Sequence, residues 1–351
     1  MFKFTELKKI HLEITNNCQA SCPMCNRNID SGLPNPLIKI RNWSMEEFRK
    51  VFSQEVFKQI DSFYFCGNFG DPILNDNLIE MCNYSKILSP QTHIVIHTNG
   101  GARDNSWWKR LAQNLPINHR VVFALDGLED THHLYRVGTE YKKVISNAKT
   151  FIDNDGIAEW VFIRFKHNQH QVEEARNLSK KIGFKYFTVK NSSRFILEPM
   201  VSVKDRQGKI KHIIEPPTDM PMKFVDKKII ENYQLIVDKS IINCKVQQER
   251  EVYIDAFGDL YPCCWLASVP YSHIEKNEAW EVRTKILSQH NSMMTKLGIT
   301  NVFEKSLKDI IQSQPYQTSW YDYWHKDKLI TCARTCSTNT DFAKPRDQIV
   351  I

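Results

Sequence analysis

Along the first half of the chain the spacing of apolar residues alternates between two rhythms. Short runs rich in β-branched and aromatic residues fall at 10–14, 62–66, 93–97, 120–125, 160–165 and 186–190. Runs of this length and composition predict strands. Between them apolar residues recur at helical spacing. Phe48, Val51, Phe52 and Val56 share one face of a helix that opens on Ser44-Met45-Glu46-Glu47. There Ser and Glu can satisfy one another's exposed backbone N–H groups as a capping box. Further helices are predicted near 77–88, 106–115, 141–153 and 172–182, the last followed by Gly183, which suits a left-handed C-terminal cap.

Six strands alternating with five helices predict an α/β fold, because a parallel neighbour is reached only through a crossover, and crossovers are right-handed. An open or partial barrel is the natural closure, with the site in loops after the carboxyl ends of the strands. From about 191 to 243 the rhythm weakens, and Glu215-Pro216-Pro217 and Met220-Pro221 mark connecting structure. A second unit starts at Cys244. It carries a strand-turn-strand signal, Val252-Tyr253-Ile254-Asp255 then Gly258-Asp259-Leu260-Tyr261, and ends near Cys332 and Cys336. The expected division is a core over 1–195, a connector over 196–243, a cysteine-bearing unit over 244–340 and a tail over 341–351.

Composition narrows the reading. With 351 residues, 42% hydrophobic and 25% charged, the chain matches an ordinary globular protein rather than a disordered one. Its first residues lack a leader's apolar stretch and cleavage site, and no run of ~18 apolar residues occurs, so a cytoplasmic protein without a membrane partner is expected. In that reducing setting the ten cysteines read as metal ligands or catalysts rather than disulfides. The net charge of +7 is scattered, as in Lys180-Lys181 and Lys227-Lys228. That scatter reads as solvated helix faces rather than a nucleic-acid surface. Mild basicity suits an anionic substrate or an acidic electron donor. His132-His133 read as helix surface, Trp107-Trp108 as core packing, and Cys66 and Cys82 as core cysteines.

Cys18, Cys22 and Cys25 form CxxxCxxC directly after the first strand. Three soft thiolates this close can fold round one iron–sulfur cluster and leave one iron open to a cofactor or substrate. The alternative is zinc, although structural zinc prefers CxxC pairs with a fourth ligand, and none is nearby. A second set, Cys244, Cys263, Cys332 and Cys336, can close a further cluster completely, again with zinc as the alternative and Cys264 as a substitute ligand.

On these motifs the sequence resembles the radical S-adenosylmethionine (radical SAM) superfamily, whose signature is CxxxCxxC after the first strand of a partial (β/α)6 TIM-like barrel. The resemblance covers about residues 9 to 190. It implies that Cys18, Cys22 and Cys25 hold a [4Fe-4S] cluster whose fourth iron binds S-adenosylmethionine. Reduction of that cluster then cleaves the cofactor to a 5′-deoxyadenosyl radical. Met24 resembles the apolar residue near the adenine. Gly67, Gly70 and Asp71, in Cys66-Gly67-Asn68-Phe69-Gly70-Asp71-Pro72, look like the family's GGEP motif, with Asp replacing the usual Glu. Thr98-Asn99-Gly100 resembles its TNG. Ala124-Leu125-Asp126-Gly127 with Arg136 resembles SxDG and its arginine, although Ala124 forgoes a hydroxyl contact to the methionine carboxylate.

The stretch from 244 to 337 is similar to the SPASM or shortened twitch extension, a small α+β unit, and implies one auxiliary cluster on Cys244, Cys263, Cys332 and Cys336. A one-electron donor such as flavodoxin or ferredoxin is the implied partner. The resemblance leaves the reaction open among oxidation, cross-linking and epimerisation of a peptide or small carbohydrate-like substrate. Cys264 stands where sulfatase-maturing relatives carry a carboxylate base, and is the candidate hydrogen donor of an epimerase. The competing reading of Cys264 is a buried small hydrophobe. The competing reading of the whole chain is a non-catalytic iron–sulfur protein for electron transfer or binding.

Overall fold

The computed structural model describes residues 1–29, 32–196, 200–205, 207–219, 233–271, 280–339 and 348–350. Met220-Pro221 and parts of the connector, second unit and tail lie outside the described residues.

All six expected strands form: β1 Lys9–Leu12, β2 Ser62–Phe65, β3 His93–Thr98, β4 His119–Ala124, β5 Ala158–Arg164 and β6 Tyr186–Asn191. They pair in parallel in sequence order. The helices between them are α1 Met45–Val51, α2 Leu78–Leu88, α3 Asn105–Asn114, α4 Tyr141–Ile152 and α5 Val172–Ile182. α1 is capped as its sequence predicts, with Ser44 Oγ accepting from the Glu47 N–H at 3.1 Å and Glu47 Oε2 accepting from the Ser44 N–H at 2.8 Å. Gly183 ends α5 at φ +104°. An antiparallel pair, β7 Val201–Lys204 and β8 Ile210–Ile214, follows the barrel strands.

The second unit begins by extending the same sheet. β9 Glu251–Ile254 pairs in parallel with β1, and β10 Leu260–Tyr261 turns back along its far side. With β11 Gln348–Val350 antiparallel to β6, the sheet runs β10-β9-β1-β2-β3-β4-β5-β6-β11 and stays open. Short helix α6 Cys264–Ala267 follows, then α7 Trp280–Leu297, α8 Leu307–Gln312, α9 Gln314–His325 and α10 Ile330–Cys336.

Register divides the sheet into two faces. Ile10, Leu12, Phe63, Phe65, Ile94, Ile96, Val121, Phe123, Trp160 and Phe162 point to the helices and are fully buried in the main core. Each such side chain contributes about 1.5–3 kcal/mol by leaving water. The inner face carries His11, Tyr64, Val95, His97, Val122, Val161, Thr188 and Lys190, and of these Val95, Val122 and Val161 form a small apolar floor. Trp107 and Trp108 are core residues and Cys82 is fully buried, while Cys66 is half-buried at the end of β2. His132 corrects the expected surface placement. It is fully buried against Thr139 Oγ1 at 2.8 Å, and burial pushes its imidazole down to about 3, so the ring is neutral.

Candidate active site

The chain leaves β1 into a loop anchored to the segment before α1. Thr15 bridges to Asn42, Asn16 Nδ2 donates to the Lys39 carbonyl at 2.7 Å, and its Oδ1 accepts from the Arg41 N–H at 2.8 Å. Beyond that anchor Cys18, Cys22 and Cys25 line a turn in which the Cys25 N–H donates to the Cys22 carbonyl at 3.1 Å. Cys22 is buried and the other two thiols are half-buried.

Loops from three neighbouring strand ends close on this turn. After β2, the 66–71 loop lies so near that a side chain on Gly70 would run into the Thr15 carbonyl, and the Asp71 N–H donates to the Asn17 carbonyl at 2.8 Å. Asp71 then ties its loop to the one after β3. Its Oδ2 accepts from Thr98 Oγ1 at 3.0 Å and the Asn99 N–H at 2.7 Å, and its Oδ1 accepts from the Ile73 N–H at 3.2 Å. Asn99 Nδ2 points to Cys18 Sγ at 3.5 Å, and its Oδ1 accepts from Gln19 Nε2 at 2.6 Å. After β4, Asp126 is fully buried, pairs with Arg136 Nε at 2.6 Å and accepts from the Ile163 N–H at 2.6 Å. Arg136 Nη1 reaches Cys22 Sγ at 3.9 Å.

The structure thus gathers Gly67, Gly70, Asp71, Asn99, Asp126 and Arg136 round the triplet. Met24 is turned into an apolar cluster with Tyr135, Phe165 and Phe195, while Arg194 donates to its carbonyl. Thr98, of the Thr98-Asn99-Gly100 motif, holds Asp71; sequence reasoning missed Gln19, which holds Asn99, and also Glu13. Only the inner-face position of Glu13 in a polar-apolar alternation could have signalled that last residue.

Electrostatics fit a cluster. Burial, then the nearby Asp71 carboxylate, raises the Cys18 thiol. Burial lifts Cys22 to about 11 against the opposing pull of Arg136. Burial raises Asp71 to about 6 despite its three donors. Burial also raises Asp126, with Arg136 opposing; burial pulls Arg136 down, but Asp126, Cys22 and Tyr135 together outweigh it and raise the guanidinium. Buried thiolates side by side need a cationic centre, and the N–H groups of Asn99 and Arg136 already point at two of the sulfurs. The donor set of three thiolates therefore fits an iron–sulfur cluster. Among the described residues no three His, Cys, Asp or Glu side chains are drawn tightly enough together to hold a single ion.

The later cysteines meet through tertiary structure. Cys244 caps the short helix Lys245–Glu249, Cys263 precedes α6, and α10 carries Cys332 and Cys336. The Ile242–Ser337 bridge and the Asn243 N–H to Cys336 carbonyl bond at 3.0 Å bring the ends together. A hydrogen bond from the Cys244 thiol lowers Cys336 and raises Cys244, while burial, then Cys263 and Cys336, raises Cys332. This four-thiol set fits a fully ligated cluster. Cys264 stands apart from it. Burial, then Cys66 and Glu251, raises its thiol to about 12, and Asn68 Nδ2 donates to its carbonyl at 2.8 Å.

Comparisons with known proteins agree with this geometry. Residues 12–178 match the family model of the radical SAM superfamily, and residues 244–337 match that of the SPASM iron–sulfur cluster-binding domain. The chain is 22% identical over 365 residues to the tungsten-containing aldehyde ferredoxin oxidoreductase cofactor-modifying protein of Pyrococcus furiosus, covering 97% of this chain and 91% of the relative. Two solved structures share its fold. One is anSMEcpe with bound AdoMet, at TM-score 0.53 and 16% identity over 96% of this chain and 89% of that one. The other is SuiB of Streptococcus suis bound to precursor peptide SuiA, at TM-score 0.53 and 16% identity over 90% of this chain and 67% of that one. Among the described residues no helix is long and apolar enough to cross a membrane.

Proposed function

We propose that this chain, which belongs to the radical SAM superfamily and carries a C-terminal SPASM domain, takes hydrogen from a peptide or small polar substrate held on the inner face of its sheet. It is an enzyme whose cofactors are [4Fe-4S] clusters and S-adenosylmethionine. In this reading Cys18, Cys22 and Cys25 hold the first cluster, and Cys244, Cys263, Cys332 and Cys336 hold an auxiliary one. When bound, the first cluster and S-adenosylmethionine supply the 5′-deoxyadenosyl radical that removes a substrate hydrogen atom. Arg136, fixed by Asp126, receives the methionine carboxylate, for which its guanidinium is suited. The backbone of Gly67 and Gly70 and the Asn99 region receive the rest of the cofactor, and Met24 backs its adenine.

The observation that carries the substrate reading is the inner face between the two thiol sets. Tyr64, Cys66, His97, Lys190 and Cys264 remain partly open there, whereas the opposite face of the same strands is sealed. Arg120, Arg136 and Arg164 each have a carboxylate partner, but Lys190 has no ion pair among the described residues. An unpaired ammonium at that place favours a substrate bearing an acidic group. Peptide is the favoured class because SuiB, of the same fold, is recorded with a precursor peptide.

Cys264 is the group we assign to finish an epimerisation. Its S–H bond breaks as a new C–H bond forms on the substrate radical. The resulting thiyl takes one electron from a donor of flavodoxin or ferredoxin type and one proton from solvent. The test is anaerobic turnover in deuterated water with candidate acidic peptides. Release of 5′-deoxyadenosine with one solvent deuterium in the product is expected, and Cys264→Ala should lose the deuterium while still releasing 5′-deoxyadenosine. Persistent deuterium uptake in that variant would remove Cys264 from the reaction, and no 5′-deoxyadenosine from the wild type would remove the whole reading.

A further inference from the structure

Glu13 has no part in the chemistry above. It follows β1, is 1% exposed, and its carboxylate collects donors from two distant parts of the chain. Oε1 accepts from the N–H groups of Phe69 at 2.8 Å and Gly70 at 2.9 Å, and the Asn68 N–H is directed at the same carboxylate. Successive N–H groups converging on one anion form a nest, so the loop after β2 is wrapped round Glu13. Gly67 completes the fit, because a side chain there would stand 2.5 Å from Oε1 and 2.7 Å from the Gly70 carbonyl.

The other carboxylate oxygen belongs to the second unit. Oε2 accepts from the Tyr253 hydroxyl at 2.5 Å, and Tyr253 lies on β9, in register with His11 of β1. Tyr253 is fully buried and meets the His11 ring edge-on at 4.7 Å. His11 Nε2 in turn bonds with the Cys66 carbonyl at 2.7 Å. The loop is therefore gripped at Cys66 by His11 and at 68–70 by Glu13, and Tyr253 braces both.

We propose that Glu13 and Tyr253 are positioning residues through which the SPASM hairpin sets the shape of the 66–71 loop, and with it the grip on the methionine end of S-adenosylmethionine. The proposal rests on the reading above that this loop holds that cofactor. Glu13 occupies the N–H side of the loop, so the peptide carbonyls are the groups left to accept from an ammonium. Without the carboxylate the buried Phe69 N–H and the half-buried N–H groups of Asn68 and Gly70 lose their acceptor, and the loop must rearrange to satisfy them.

The test compares reconstituted full-length wild type with Tyr253→Phe, Glu13→Ala and Glu13→Gln. Tyr253→Phe keeps the ring and removes only the hydroxyl, so it serves even where Glu13→Ala fails to fold. Two readouts are taken: amide exchange across 67–71 before cofactor is added, and the dissociation constant for S-adenosylmethionine by equilibrium dialysis. At a pH above 7, where Glu13 is ionised, faster exchange and binding weakened by about tenfold are expected in Tyr253→Phe, the size of losing one buried hydrogen bond to a charged group. Iron content should be unchanged, and Glu13→Gln should bind close to wild type because its amide oxygen still accepts from the loop. Wild-type protein that bound no S-adenosylmethionine would overturn this proposal together with the reading it rests on. Wild type that binds, with a Tyr253→Phe variant that exchanges as slowly and binds as tightly, would overturn the positioning role alone.

Discussion

The two cysteine sets are built in opposite ways. Cys18, Cys22 and Cys25 lie within eight residues of one loop, and the loops that close on them each make their own hydrogen bonds to it. Cys244, Cys263, Cys332 and Cys336 come from separate elements and meet only because the Ile242–Ser337 bridge and α10 bring the ends of the second unit together. A site written into one loop is a local property of the chain. One assembled from distant elements shares its stability with the fold around it.

That contrast predicts different failures. Cys22→Ala should abolish 5′-deoxyadenosine release and cut iron to about half, because a cluster missing one of three local thiolates is not held. The melting temperature should move little. A large fall in that temperature would show the first site to be as fold-dependent as the second. Cys332→Ala should do the reverse, lowering the melting temperature by about 5 °C or more as buried Cys244 and half-buried Cys263 and Cys336 lose their shared centre. Calorimetry showing no shift would break the distinction from the other side.

The smallest effect concerns the bridge between the regions. Burial lifts Glu13 to about 7 from an ordinary 4.5, outweighing the Tyr253 hydroxyl and the loop N–H groups. The folded protein thus holds a proton between pH 4.5 and about 7 that the unfolded chain has released. That contribution to stability is complete below 4.5 and is lost as pH rises to 7. Glu13→Gln should therefore show a shallower fall of melting temperature across this window. Slopes that superimpose would exclude Glu13 as a titrating group; Asp71, Asp126, Asp255, Asp259 and Glu251, also raised, act in the same direction, and the lowered His11, His97, His132 and His167 act in the opposite one, equally in both proteins.

Much of this was legible from residues close in sequence. Ser44 and Glu47 cap α1 as their spacing predicts, Gly183 takes its left-handed turn, and the six strands pair in order. The early cysteine turn was legible for the same reason. What escaped depended on partners far along the chain. The parallel pairing of β9 with β1 leaves no local trace, since a short alternating run reads the same beside any neighbour. Glu13 sits where alternation suggests solvent, because an inner sheet face is polar for reasons of its own. His132 was misjudged since a polar side chain near a helix start gives no sign that Thr139 will receive it in the interior.

The placement of β9 beside β1 also bears on how the molecule is made. β1 gains one of its two neighbours only after more than two hundred further residues have left the ribosome. Until then its flank presents unpaired N–H and C=O groups, an invitation to pairing between nascent chains.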